Sequence, residues 1–142
     1  MRLAAPLSEF LRQCQEQYFS DIDWIVPVPL HPKRVRQRGF DQTLLLATSL
    51  SHQACIPLLQ CVRRRRNTAP QFGLDHAGRQ RNVKGAFELR KRHALEGRKV
   101  LIIDDVMTTG ATVEEISRVL LHDSELREVQ VLTVARVSKI VL

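Results

Sequence analysis

The stretch Val100-Leu101-Ile102-Ile103-Asp104-Asp105-Val106-Met107-Thr108-Thr109-Gly110-Ala111-Thr112 decides the fold. It opens with four apolar residues that do not alternate with polar ones. A short continuous run of this kind suits a strand covered on both faces of a parallel sheet. The run therefore predicts a strand over Lys99–Ile103. Two carboxylates follow, then small hydroxyl residues and a glycine. Val113, Ile116, Val119 and Leu120 share one stripe at helical spacing, which predicts a helix over Ala111–Leu121. Val129–Val134 supplies the next strand.

The junction between strand and helix has the chemistry of a phosphate cradle. Backbone N–H groups at a helix N-terminus favour an anion. Gly110 permits a tight turn and close backbone approach. Thr108, Thr109 and Thr112 add hydroxyl donors. Asp104 and Asp105 would repel a phosphate. They can accept hydrogen bonds from a diol, or draw in a divalent cation through water. Phosphate on one side and a diol on the other describe a ribose 5-phosphate. Simple helix capping by Thr108–Thr112 is the plain alternative, but it does not call for the acidic pair. No G-x-x-x-x-G-K-[ST] and no G-x-G-x-x-G after a strand is present, so neither nucleotide fingerprint is supported.

Outward from this segment, strands alternate with helices. Leu3, Leu7, Phe10, Leu11, Cys14 and Tyr18 form a stripe that predicts a helix over 3–18. Trp24-Ile25-Val26 reads as a short buried strand, stopped by Pro27 and Pro29. His31–Phe40 reads as a basic loop. Asp41 is placed to cap a helix containing Leu44 to Leu50. Leu58–Val62 and Ala86–Leu89 read as further strands. Residues 67–85 read as a long loop with a short helical turn, and Arg90–Gly97 as a charged connection. The class is α/β, with a mainly parallel sheet flanked by helices. Ligands in such sheets bind beyond the carboxyl ends of the strands, here near Pro27 and Asp104.

At 142 residues the chain has the length of one domain, 1–142, with a core over about 20–136. No stretch reaches the roughly 18 apolar residues of a membrane span. Residues 31–99 hold 16 Lys and Arg against 4 Asp and Glu, so the middle segment supplies all of the net +7. An anionic partner follows from that placement. Cys14, Cys55 and Cys61 form no C-x-x-C pair, which supports neither a zinc site nor a disulfide framework. Cys14 and Cys55 sit among apolar residues and read as packed thiols. Three unpaired thiols and the lack of an apolar leader make the cytoplasm the expected compartment. His52, His76, His93 and His122 show no metal-ligand spacing.

The quoted segment resembles the phosphoribosyl-pyrophosphate (PRPP) binding motif of type I phosphoribosyltransferases: an apolar strand, two acidic residues, two further positions, then Thr-Thr-Gly-x-Thr. Other stretches narrow the resemblance to the ComF/GntX family. They are Val26-Pro27-Val28-Pro29-Leu30-His31-Pro32, Arg38-Gly39-Phe40-Asp41-Gln42, Arg64-Arg65-Arg66-Asn67-Thr68-Ala69-Pro70-Gln71 and Arg81-Asn82-Val83-Lys84-Gly85-Ala86-Phe87. Family members commonly carry an N-terminal four-cysteine zinc module that is absent here. The chain thus reads as a core-only version, or one shortened at its N-terminus. Asp41 stands where the family usually has Asn.

The resemblance implies a type I phosphoribosyltransferase fold with a reduced hood and a long mobile loop. It implies that Asp104 and Asp105, the catalytic pair, hold the ribose hydroxyls. Thr108, Thr109, Gly110, Ala111 and Thr112 would hold the 5-phosphate. Leu30, His31, Lys33, Arg34, Arg36 and Arg38 would form the pyrophosphate loop. Arg64, Arg65, Arg66, Gln71 and Arg81 would belong to the mobile loop. Magnesium would come with PRPP, with no direct protein metal site. The implied reaction is displacement of pyrophosphate from C1 by a nitrogen nucleophile, without a covalent enzyme nucleophile. The acceptor is not specified by the residues. Two other readings stay open: a PRPP sensor without turnover, and a single-stranded-DNA-binding competence factor gripping DNA with its arginines. The competence machinery and a second copy of the chain are the remaining partners considered.

Overall fold

The computed structural model describes residues 21–66, 68 and 76–136. The helix expected over 3–18, Cys14 and Gln71 lie outside them. The elements are β1 (Trp24–Pro27), α1 (Pro32–Arg38), α2 (Gln42–Ala54), β2 (Val62–Arg64), α3 (His76–Val83) and β3 (Phe87–Leu89). A 3-10 turn at Arg92–Ala94 follows, then β4 (Lys99–Met107), α4 (Ala111–Asp123) and β5 (Glu128–Arg136).

β1, β4 and β5 form a parallel sheet in the order β1-β4-β5. β4 is therefore flanked by strands on both sides, and Val100 to Ile103 are fully buried. Successive side chains point to opposite faces of a strand. Leu101 and Ile103 meet Leu46, Ala47 and Leu50 of α2, with Ile25 and Leu132. Val100 and Ile102 join Ile116, Val119 and Leu120 of α4 on the other face. This two-sided covering is why the sequence run lacks alternation. β1 pairs in register from Trp24 opposite Val100 to Pro27 opposite Ile103, which brings its end level with the start of the acidic pair.

β2 and β3 form a separate antiparallel pair, with Arg63 opposite Glu88 and Arg64 opposite Phe87. The strand expected over Leu58–Val62 is shifted: Leu58 makes only an isolated bridge to Ile25, and the strand runs from Val62 to Arg64. The cross-strand partner Phe87 draws the arginines into the ladder. β4 also runs four residues further than expected, through Asp104, Asp105 and Met107. β5 pairs alongside as far as Met107 opposite Arg136 and keeps it extended.

The basic segment after β1 is not a loop but a short helix, α1. Pro32 stands in its first turn, the His31 ring nitrogen Nδ1 accepts the Lys33 N–H at 3.2 Å, and Gly39 ends it at φ +80°. These are start and stop signals of a helix, and charge alone did not reveal them. Asp41 caps α2 as expected, accepting the Leu44 N–H at 3.0 Å. Cys55 is exposed, a correction to its reading as a packed thiol. It ends α2 in the left-handed region at φ +54°, and this turns its side chain out of the core. Cys61 is the buried thiol, and burial pushes it up to about 11.

Candidate phosphoribosyl-binding site

The site lies where β4 runs into α4, at the carboxyl end of the sheet. Asp104 is only 8% exposed, and its Oδ1 accepts the Asp105 backbone N–H at 2.9 Å. Asp105 is half-buried, and its own Oδ1 accepts the Val106 N–H at 2.8 Å. Burial pushes the Asp104 carboxyl above the ordinary carboxylate range, to about 7; the neighbouring Asp105 charge adds to the shift, and Arg64 opposes it. The pair thus differs in environment, with one carboxyl buried and one facing partly outward.

Gly110 opens α4 at φ +84°, and no side chain caps the helix there. A Cβ at this position would meet Glu114 Oε1 at 3.7 Å and Met107 Sδ at 3.8 Å, which is ordinary contact. The backbone angle requires the glycine, not a lack of space. Thr109 Oγ1 lies 3.5 Å from the Ala111 N–H, at the outer limit of a hydrogen bond. A small pocket in front of the turn is lined by Asp104, Met107, Thr108, Gly110, Thr112 and Val113. Of the sequence-predicted site, Asp104 and the turn residues Thr108, Gly110, Ala111 and Thr112 thus share one pocket, while Asp105 and Thr109 do not line it.

The basic residues divide. Lys33, Arg36 and Arg38 are exposed on α1, while Leu30, His31 and Arg34 are half-buried. Arg34 reaches across to donate to the Thr68 carbonyl at 2.8 Å. Arg64, expected on a mobile loop, is a fixed strand residue only 6% exposed. Its guanidinium donates to the Thr68 hydroxyl and lies 5.3 Å from the centroid of the Phe87 ring. Among the described residues its buried Nε has no hydrogen-bond partner. Burial draws Arg64 down to about 10; the like charge of Arg34 adds to this, and Asp104 offsets it. Arg34, Arg64, Thr68 and Asp104 are therefore one neighbourhood.

The remaining arginines lie elsewhere. The Arg65 N–H donates to the Ala86 carbonyl at 2.7 Å and its side chain is exposed. Arg66 donates to the Lys84 carbonyl at 2.5 Å. Arg81 stands on α3 over a cleft of about 500 Å³ toward α4, shared with Lys84, Glu114 and Arg118. None of these three belongs to the pocket beside Gly110.

Sequence reasoning did not single out Thr68 as an anchor, or Glu115. Glu115 is buried on α4, accepts the Gly85 N–H at 2.7 Å and pairs with Arg118 at 2.8 Å. The Arg118 hydrogen bond holds its carboxyl below the usual range, against burial. The signal for Arg64 was available: alternation along Val62-Arg63-Arg64 turns Val62 and Arg64 inward together. Among the described residues no group of three His, Cys, Asp or Glu could hold a metal ion. Among them, too, no helix is long and apolar enough to cross a membrane.

The sequence model of the phosphoribosyl transferase domain family matches residues 40–139. The chain belongs to that family. Curated relatives carry the ComF-type names that the sequence resemblance suggests. "Competence protein F" of Haemophilus influenzae is 41% identical over 114 residues, which are 79% of this chain and 49% of that protein. "DNA utilization protein YhgH" of Escherichia coli K12 is 44% identical over 102 residues, 71% of this chain and 44% of that protein. "Competence protein ComFC" of Bacillus subtilis is 30% identical over 112 residues, 79% of this chain and 44% of that protein. The chain therefore aligns with less than half the length of these relatives.

Solved structures agree in fold. An allosteric regulatory enzyme of purine biosynthesis matches with a TM-score of 0.61 at 19% identity, over 92% of this chain and 26% of that one. Adenine phosphoribosyltransferase from Saccharomyces cerevisiae matches with a TM-score of 0.59 at 17% identity, over 93% of this chain and 66% of that one. The fold is that of the type I phosphoribosyltransferases.

Proposed function

We propose that this chain binds PRPP with magnesium and transfers its phosphoribosyl group to a nitrogen acceptor. The observation that carries the reading is the junction of β4 and α4. The central strand carries a buried and a half-buried carboxylate near its carboxyl end, and a helix opened by Gly110 begins four residues after the strand's last residue, Met107. The residues present fit the substrate. The turn from Thr108 to Thr112 would take the 5-phosphate, and Asp104 and Asp105 would accept hydrogen bonds from the ribose hydroxyls. Magnesium would neutralise the pyrophosphate, and the acidic pair would meet it through water.

In the reaction the bond from C1 to pyrophosphate breaks, and pyrophosphate leaves with the electron pair. The acceptor nitrogen forms the new bond to C1 and gives up a proton. The sugar becomes cation-like between these events. The work of the chain is to hold the ribose in place and to set negative charge beside the sugar and positive charge beside the leaving group. Arg64 bears electrostatically on Asp104 and Arg34 bears on Arg64, so these two guanidiniums would serve the leaving group.

The test is thermal. PRPP with magnesium should raise the melting temperature, and replacing Asp104 and Asp105 together by Asn should abolish the rise. No rise with the unaltered chain overturns the reading. Release of pyrophosphate on screening nucleobases and amines separates transfer from binding without turnover.

A second reading rests on the names of the relatives, which speak of competence and DNA utilisation. In this reading the same chain serves DNA uptake or utilisation in the cytoplasm, and its outward arginines meet single-stranded DNA.

A further inference from the structure

Thr68 holds two guanidiniums at once. Its carbonyl accepts a hydrogen bond from Arg34 Nη2 of α1 at 2.8 Å, and its hydroxyl accepts one from Arg64 Nη2 of β2. Thr68 and Arg64 are buried, and Arg34 is half-buried. A charge withdrawn from water is costly unless a partner of opposite sign meets it. The outward arginines have such partners: Glu88 takes Arg63, Arg65 and Arg90, Asp23 takes Arg98, and Glu115 takes Arg118. Among the described residues Arg34 and Arg64 form no ion pair, and the buried Arg64 Nε has no hydrogen-bond partner. The like charge of Arg34 also bears unfavourably on Arg64. Two cations are thus brought to one neutral residue that cancels neither of them.

We propose that Thr68 is a positioning residue for the leaving group: it clips Arg34 and Arg64 to one point, so that both present their remaining N–H donors to pyrophosphate. The proposal rests on the phosphoribosyl reading above and assigns Thr68 to one half of that donor. A guanidinium carries several N–H donors in a planar fork. One from each arginine goes to Thr68, which leaves others for phosphate oxygens, the acceptors that this fork matches in pairs. A carboxylate in place of Thr68 would hold the arginines more tightly and cancel their charge. A hydroxyl and a carbonyl fix their direction and leave the charge in place. Charge set in advance needs no reorganisation as negative charge builds on the leaving group. The Phe87 ring against Arg64 restrains the same guanidinium from another side. Thr68 does not line the pocket beside Gly110, so the two ends of the donor depend on separate residues.

Calorimetric titration of the whole chain with magnesium pyrophosphate and, separately, with ribose 5-phosphate tests the proposal. Thr68→Val keeps the shape of the side chain and removes the hydroxyl. It should weaken magnesium pyrophosphate by about tenfold or more, the loss expected when a hydrogen bond to a charged group is removed. Its affinity for ribose 5-phosphate should change by less than about threefold, and this retained binding shows that the variant is folded. Thr68→Ser keeps the hydroxyl and should recover most of the pyrophosphate affinity. Equal losses for both ligands mark a structural role alone and overturn the proposal. Full pyrophosphate binding by Thr68→Val overturns it too, as does a loss in Thr68→Ser as large as that in Thr68→Val. If the unaltered chain melts higher with PRPP and magnesium but binds no magnesium pyrophosphate, the clip is overturned and the PRPP reading stands. If PRPP gives no rise, the PRPP reading falls and the clip falls with it.

Discussion

The Arg64 guanidinium carbon lies 5.3 Å from the centroid of the Phe87 ring, its partner across the β2–β3 ladder. A guanidinium over a ring face at this distance gains a cation–π attraction that strengthens as water is excluded. Here water is largely excluded, since Arg64 and Phe87 are 6% and 4% exposed. The contact ties the antiparallel pair to the proposed phosphoribosyl site, because Arg64 also bears electrostatically on Asp104.

Arg64→Ala should therefore act in two ways. Stability should fall by on the order of 2 kcal/mol through lost packing and the orphaned Thr68 hydroxyl, read by urea unfolding. The Asp104 carboxyl should titrate at still higher pH, because its stabilising positive neighbour is gone. Carboxyl NMR of the variant checks the second effect. Arg64→Lys should restore the charge but not the planar contact, and recover only part of each.

Asp104 predicts a pH dependence of unusual sign for a carboxylate. Its folded pKa, about 7, lies above the ordinary value of 3.8. Between these values the folded chain keeps a proton that the unfolded chain releases, so stability falls as pH rises through the window. Asp104→Asn removes this penalty. The melting temperature of the variant relative to the parent should rise from pH 4 to pH 7 and then level off. A difference that is flat across the range would refute the assignment.

Glu115 predicts the opposite sign. Its carboxyl is held below the usual value of 4.5, mainly by Arg118. The stabilisation is present above that value and is lost as pH falls through the lower folded value. Glu115→Gln should cost about 1–3 kcal/mol at pH 7, and the cost should shrink toward pH 3. Denaturant titrations at both pH values measure it.

Gly110→Ala should cost about 1–2 kcal/mol, the left-handed penalty of an L-residue. The space around it is ordinary, so no clash adds to the cost. The variant should fold, and its melting-temperature rise with PRPP should be reduced, since α4 would open at a strained angle.

The unbroken apolar run Val100 to Ile103, the double carboxylate and the glycine that opens α4 were all legible in the chain. Each is a local pattern with a local cause: two-sided burial, adjacent charge, and a left-handed backbone angle. The α1 helix was less legible. Its start depends on His31 folding back on Lys33, and four positive side chains from Lys33 to Arg38 disguised it as loop. The length of β4 was also hidden, because pairing with β5 rather than apolar content carries it to Met107.

The arginine run shows where sequence stops. By itself the sequence determined that residues 63–66 carry four positive charges and that an anion should be near. It also determined the order of strand, carboxylates, glycine and helix, since these follow from neighbours in the chain. Only the tertiary structure decided which arginine faces what. Pairing of β2 with β3 sends Arg64 inward to Phe87, Thr68 and Asp104, and leaves Arg63 and Arg65 outside around Glu88. The physical reason is that a strand alternates its side chains, but the packing of a partner 23 residues away, from Arg64 to Phe87, decides which face is inside.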